Sequence, residues 1–168
     1  MFTICMIINF VENTVPAIFF YPRAILHDSL MFVSPPGSLD LLYNPYSSWI
    51  TGPLFLKVLD LGKKHTRSSK EDPIILLMGN HESQCTFYSI LYARQNGVTL
   101  VTFPPRCSHR LQPLDVGVMR PFKGKLRVVQ HNRMTANPGK VITVLHLALL
   151  TNAAYQTFSL QGYNNSFC

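Results

Sequence analysis

The sequence predicts an α/β fold with a mixed sheet, and three observations lead to that prediction. Apolar residues over 2–10 and 15–21 are separated by a short polar connector, which is the pattern of an antiparallel hairpin. Aliphatic and β-branched runs over 73–78 and 98–103 enclose a helical pattern over 84–95. A strand–helix–strand order predicts a parallel pair with a right-handed crossover, so both kinds of pairing are expected.

The hairpin is followed by a long segment without a regular pattern. Pro22 ends the second strand, and residues 23–52 contain several proline and glycine breakers, so this range is predicted to be a loop. Pro53 suits the first turn of a helix, whose apolar residues would lie on one side: Leu54, Phe55, Val58, Leu59 and Leu61. Residues 63–70 follow as a basic, polar link.

The helix between the two parallel strands has helical spacing and a stop signal. Phe87, Ile90 and Leu91 recur at i, i+3 and i+4, which predicts one apolar face. Gly97, after an asparagine, supplies the C-terminal stop. A pair of prolines that begins at Pro104 ends the following strand.

The last third of the chain is predicted to be mainly helical. A loop leads from Arg106 to Asp115. Pro121 suits the start of a helix, which an Asn-Pro-Gly sequence at 137–139 would end. A further apolar helix is predicted over 141–157.

Size and composition describe a folded chain with a basic surface. The 168 residues suit one domain, and 47% hydrophobic against 14% charged residues allows a sizeable core and argues against disorder. The net charge of +7 favours phosphate-rich partners, although the same charge could serve solubility alone. The cysteines at 5, 85, 107 and 168 form no C-x-x-C pair, which favours a reducing compartment, cytosol or nucleus.

The apolar N-terminal residues are predicted to form a buried strand and not a targeting segment. No Lys or Arg precedes Arg23, and no small-residue cleavage site is clear. The apolar run is also too short to span a bilayer, so no membrane association is expected.

Several motifs occur in an order that carries a family resemblance. They are VPAIFFYPR at 15–23, PPGS at 35–38, GNHESQ at 79–84 and FPPRCSHRLQPLDVGV at 103–118. In these motifs the chain resembles the DDE superfamily endonuclease domain of pogo/Tigger/jerky-type transposases and their domesticated, centromere protein B-like relatives. The resemblance implies an RNase H-like fold, with a mixed sheet flanked by helices. It also implies three acidic residues that hold Mg²⁺ or Mn²⁺. These hard cations prefer oxygen ligands, and two of them can stabilise the charge on the attacking and leaving oxygens during phosphodiester cleavage.

Two of the family's three acids have no counterpart in this sequence. The first acid belongs to a strand ahead of the first residue, so residues 1–168 are expected to be a partial, truncated DDE domain whose sheet lacks its first strand. The second acid matches Gly79, and the usual histidine of the same motif is Gln84. Only Asp115 keeps the third acid, so metal binding there is expected to be weak, if any, with no tightly bound ion.

Other readings of the same residues stay open. Glu82 lies three residues after Gly79 and could replace the lost acid, or it could face solvent. Two cysteines and two histidines could bind zinc or could simply pack in the fold: His81, Cys85, Cys107 and His109. Trp49 could stack on a base or belong to the core.

Two groups of basic residues are candidates for phosphate contacts, against the alternative of a solvated face. They are Lys63, Lys64 and Arg67, and then Arg106, Arg110, Lys123, Lys125 and Arg127. The second group surrounds Asp115, where the family would meet DNA. Contacts of this kind bind nucleic acid without reading its sequence, so weak, non-specific binding is expected.

The leading hypothesis is a transposase-derived, nuclear DDE endonuclease-like domain that binds DNA without cutting it. The family's DNA-recognition module is a helix-turn-helix region, and no separate domain of this kind is expected within the chain. One alternative is an active Mg²⁺-dependent endonuclease that uses Asp115 with Glu82 or with an acid of a partner chain. Another is a protein-interaction remnant without a nucleic-acid role. The strand edges left by the missing strand favour self-association.

Overall fold

The computed structural model describes residues 3–9, 14–21, 34, 37–42 and 50–157. The strands are β1 (Thr3–Ile8), β2 (Thr14–Tyr21), β3 (Leu39–Leu42), β4 (Ile74–Met78) and β5 (Val98–Thr102). The helices are α1 (Gly52–Thr66), α2 (Phe87–Gln95), α3 (Ser108–Leu111), a π-helical segment (Leu114–Met119), α4 (Arg120–Ala136) and α5 (Val144–Thr157). The predicted α/β class, with mixed strands flanked by helices as in an incomplete RNase H-like fold, is confirmed. Within the described ranges no helix is long and apolar enough to cross a membrane.

The first sheet contains the predicted hairpin and one strand that sequence patterns missed. β1 and β2 pair antiparallel, with Cys5 opposite Ile18, and β3 adds in parallel to β2, with Leu41 opposite Phe20. The prediction of a loop over 23–52 is therefore wrong at β3. This strand is short, contains an aspartate and has no β-branched residue, so its local sequence carries little strand preference.

The second sheet is the predicted parallel pair. β4 and β5 align with Leu76 opposite Leu100, and α2 makes the crossover between them. Among the described residues the two sheets remain separate, with orders β1-β2-β3 and β4-β5. Within the described part of the chain, four strands therefore have a partner on one side only: β1, β3, β4 and β5.

Helix α1 joins the two sheets into one core. Its buried face packs on residues of both sheets in a cluster that contains Ile18, Phe20, Leu41, Phe55, Val58, Leu59 and Met78. Because side chains alternate along a strand, Phe19 and Tyr21 point to the other face of β2, where they pack with Ala148 of α5. The second sheet lacks such a cover among the described residues, and Ile75, Leu77 and Val101 are 69%, 40% and 40% exposed.

Helix α2 begins later than predicted and buries another face. Thr86 caps its N-terminus by accepting a hydrogen bond at Oγ1 from the Ser89 N–H, at 3.2 Å. The predicted apolar face is exposed, with Phe87 73% accessible, whereas Ser89 and Ala93 are buried. A Cβ on Gly52 of α1 would lie 2.9 Å from the Thr86 methyl group. Small residues are needed where the two helices approach closely, and this need overrides the apolar spacing.

The predicted link over 63–70 is wrong in its first half, because α1 continues to Thr66. Arg67 ends the helix in a left-handed conformation, with φ 56°, and its N–H donates to the Lys63 carbonyl at 2.8 Å. Lys63 and Lys64 thus lie in the last turn, where positive charge is favourable to the helix dipole.

A polar contact between α1 and α2 supports a prediction about stability. The Tyr92 hydroxyl donates to Asp60 Oδ1 at 2.9 Å, and Lys64 Nζ lies 2.7 Å from Asp60 Oδ2. The hydrogen bond from Lys64 is the main cause of a lowered Asp60 pKa, and the bond from Tyr92 adds to it. A lowered folded-state pKa stabilises the fold above the unfolded value of 3.8, and this contribution is lost as pH falls through the folded value.

Tyr92→Phe is therefore expected to lower the free energy of unfolding by about 1 kcal/mol at neutral pH, since Asp60 is partly exposed and screened. The loss should shrink in acid, where Asp60 is protonated in both forms. Urea unfolding at neutral and acidic pH measures both values. Tyr88→Phe is the control, because Tyr88 is 70% exposed. An equal loss at both pH values would contradict the proposed role of the Asp60 charge.

Candidate functional site

Gly79 lies directly after β4, at the carboxyl edge of the parallel pair. Ligand sites of α/β sheets commonly occur at this edge. A Cβ on Gly79 would lie 3.5 Å from Gln84 Oε1 and 3.8 Å from Gln112 Oε1, which are ordinary contact distances. Gln84 Oε1 is buried and has no hydrogen-bond partner among the described residues. The position therefore has room for the first atom of a larger side chain, but the sequence supplies none.

Gln112 connects this strand end to Asp115. Its side chain faces Gly79, and its carbonyl accepts a hydrogen bond from the Asp115 N–H at 3.0 Å. Asp115 lies in the first turn of the π-helical segment, which runs directly into α4. Val118 of that segment is completely buried against β1 and α4, and it fixes the segment to the first sheet. The predicted loop from Arg106 to Asp115 is wrong in part, because α3 lies within it.

An open cavity of about 760 Å³ lies beside Asp115. Its lining consists of Arg106, Ser108, Asp115, Met119, Arg120, Lys123, Gly124 and Arg127. We call this the Asp115 cavity. Asp115 and the four cations are all exposed to solvent. Among the described residues no ion pair joins Asp115 to any of these cations, so their charges face whatever enters the cavity.

Helix spacing explains why the cations converge. Arg120, Lys123 and Arg127 occur at i, i+3 and i+7 along α4 and so share one of its faces. The opposite side of α4 carries Phe122, which is buried in the core below. Arg106 reaches the cavity from a left-handed turn after β5, with φ 63°, a conformation that non-glycine residues rarely adopt.

The structure brings together some of the predicted phosphate contacts and separates others. Arg106, Lys123 and Arg127 line the Asp115 cavity, whereas Arg110 and Lys125 are exposed but outside its lining. The first predicted group, Lys63, Lys64 and Arg67, lies apart at the C-terminal end of α1. Sequence reasoning missed Arg120, whose i, i+3, i+7 relation to Lys123 and Arg127 was a usable signal.

The alternative site residues do not assemble in the described part of the chain. Glu82 is exposed and does not line the cavity. Residues 82–84 form a turn, and no helix covers residues 80–86, which include His81 and Cys85. His81 Nδ1 lies 2.9 Å from the Ser83 hydroxyl. No three His, Cys, Asp or Glu residues among those described could hold a metal ion. Trp49, Cys168 and the side chain of His109 lie outside the described residues.

The three described cysteines, Cys5, Cys85 and Cys107, are free thiols. Burial raises the pKa of Cys5 to about 11, so this thiol stays protonated and behaves as a core residue.

A family model described as DDE superfamily endonuclease matches residues 38–162. The chain belongs to the DDE superfamily. The match includes Gly79, Asp115 and all the residues that line the Asp115 cavity. No curated protein and no solved structure matches the chain. Membership supports a transposase-derived, nuclease-like domain and an interaction with nucleic acid.

DDE superfamily endonucleases generally use divalent metals, and the described residues around Asp115 do not suit one. Mg²⁺ and Mn²⁺ need several oxygen ligands, of which carboxylates supply the charge. Gly79 offers no side-chain ligand, and the Asp115 carboxylate stands among four cations that repel a metal ion. The chemistry of this donor set disagrees with the metal site that the family implies.

Proposed function

We propose that this DDE domain binds DNA through its phosphate backbone at the Asp115 cavity and does not cut it. The observation that carries the proposal is the group of four exposed cations that line one cavity together with Asp115 and form no ion pair with it among the described residues. Guanidinium groups suit phosphate oxygens because they donate paired hydrogen bonds, and the ammonium of Lys123 adds a point charge.

Binding of this kind carries no sequence information. All four cations are exposed on a turn and on one helix face, where a phosphate backbone can approach them. Neutralising phosphates releases counterions from the duplex, which supplies the affinity and makes it depend on salt. The proposed binding is therefore weak and non-specific. The basic end of α1 is a separate candidate contact for a longer duplex.

The proposed loss of cutting follows from the ligand set. Phosphodiester cleavage by this superfamily's type of chemistry needs carboxylates that hold metal ions at both the attacking and the leaving oxygen. Incubation of the purified chain with supercoiled plasmid and Mg²⁺ or Mn²⁺ tests the point, and we expect no nicking. Nicking that disappears in Asp115→Ala would favour the alternative of an active endonuclease that takes its other acid from Glu82 or from a partner chain.

The affinity for a random-sequence duplex should fall steeply with salt. With four phosphate contacts, the logarithm of the binding constant should fall with the logarithm of salt concentration with a slope of about −3 to −4. Fluorescence anisotropy over a salt series measures the slope, and a second duplex of unrelated sequence should give the same value. Undetectable binding at low salt would favour the alternative of a protein-interaction remnant without a nucleic-acid role. A binding signal that does not change with salt would contradict phosphate contacts.

Three finer expectations stay predictions. Within the superfamily, the quoted motifs support an origin among pogo/Tigger/jerky-type transposases. Localisation in the nucleus follows if DNA is the partner. Self-association through open strand edges has a physical basis in the outer edges of β1 and β4, and sedimentation at increasing concentration tests it.

A further inference from the structure

The Asp115 cavity presents four positive charges and one negative charge to a ligand. The cations come from two parts of the chain, Arg106 from the turn after β5 and the others from α4. Among the described residues none of them forms an ion pair within the protein. Their combined field therefore attracts an anion and repels a divalent cation.

The shape of the lining also suits a phosphate group. Gly124 belongs to the lining together with Lys123 and Arg127, and a Cβ placed on it would meet no atom within 4 Å. Its lack of a side chain leaves open space beside these two cations. The Ser108 hydroxyl offers a further donor to a phosphate oxygen. Asp115 is the one lining residue with a negative charge, and it would therefore repel a phosphate bound by these donors.

We propose that the Asp115 cavity holds a phosphate group of DNA by direct contact with its arginine and lysine side chains, without a bridging divalent cation, and that Asp115 weakens this binding. The proposal rests on the DNA binding proposed above and adds how the phosphate is held. In a site where a metal ion bridges a carboxylate and a phosphate, removal of the carboxylate weakens binding. In direct contact without a metal ion, removal of the Asp115 charge strengthens DNA binding. The direction of the change in affinity therefore distinguishes direct contact from a metal-bridged site.

The test compares the binding of a labelled duplex to the wild type and to Asp115→Asn, in EDTA and in Mg²⁺ at equal ionic strength. We expect full binding in EDTA and weaker binding in Mg²⁺, because the metal competes for the phosphates. Asp115→Asn should bind about three- to eightfold more tightly at about 0.1 M salt, the effect of one unit charge beside a phosphate. Asp115 is exposed and makes no ion pair, so the variant should fold, and its thermal unfolding checks this.

Asp72→Asn is the matched control for the change in net charge. Asp72 is exposed and lies just before β4, at the other end of the strand from Gly79, so it should change affinity much less. Binding that requires Mg²⁺, or weaker binding by Asp115→Asn, would overturn the direct phosphate contact while leaving DNA binding intact. An equal gain in both variants would overturn the specific role of Asp115. Undetectable binding in EDTA and in Mg²⁺ at low salt would overturn both proposals.

Discussion

Replacement of Arg120, Lys123 and Arg127 together by alanine is expected to weaken DNA binding by about two orders of magnitude at about 0.1 M salt. Each cation that neutralises a phosphate contributes about 0.9 to the salt slope, so the slope should also lose about 2.7. All three side chains are exposed and lie on the face of α4 away from its buried Phe122. The fold should therefore tolerate their removal.

A triple variant of Lys57, Arg94 and Lys140 is the matched control, because it removes the same charge from exposed positions outside the Asp115 cavity. Anisotropy titrations over a salt series give affinity and slope for both variants, and circular dichroism confirms folding. If the control loses as much affinity and slope as the α4 variant, net charge and not the cavity governs binding, and the proposed interface is wrong.

Gly97→Ala is expected to cause the largest loss of stability, about 3–5 kcal/mol, which could prevent folding of a domain of ordinary stability. Gly97 has φ +69°, and a Cβ there would lie 1.8 Å from the Ser69 carbonyl oxygen. That oxygen belongs to backbone in the turn that leads into β4. The Gly97 carbonyl also accepts a hydrogen bond from the Ile74 N–H at 2.8 Å, so the two segments cannot separate without losing this bond.

Variants of two other glycines separate the cost of the left-handed conformation from the cost of the clash with Ser69. Gly139 has φ +76° but nothing within 4 Å of an added Cβ, so Gly139→Ala should cost only about 1 kcal/mol, the strain of the left-handed conformation. Gly124 lies inside α4 with open space around it, and Gly124→Ala should stabilise by up to about 1 kcal/mol. Chemical unfolding of the three variants gives the ranking, and similar losses for Gly97→Ala and Gly139→Ala would contradict the clash with Ser69.

Patterns that depend on local chemistry predicted the fold well, and patterns that depend on packing did not. The hairpin and the parallel pair follow from strand-like runs separated by breakers, and both form as expected. β3 was missed because its stability comes from pairing with β2 and not from its own residues. The face of α2 was predicted wrongly because close approach to α1 requires small residues there.

In the candidate site, too, local motifs were informative and features that depend on packing were not. The motifs singled out Asp115 and Gly79 as site positions, and the structure connects the two through Gln112. Sequence spacing places Arg120, Lys123 and Arg127 on one helix face, but it could not show that this face reaches Asp115, since that depends on the path of the chain after β5 and on the start of α4. The predicted helix began at Pro121, and Arg120 was therefore left out of the set.

The π-helical segment determines the angle around the helix axis between Asp115 and the cations that follow it. In an α-helix, five residues would rotate Arg120 about 140° away from Asp115 around the axis. A π-helix turns through roughly 80° per residue, so the same five residues bring Arg120 within about 40° of Asp115. Deleting one residue from this wide turn would rotate the basic face of α4 relative to Asp115 without changing any charge. The number of residues in this one helical turn thus determines whether Asp115 and the basic side chains of α4 lie on the same side.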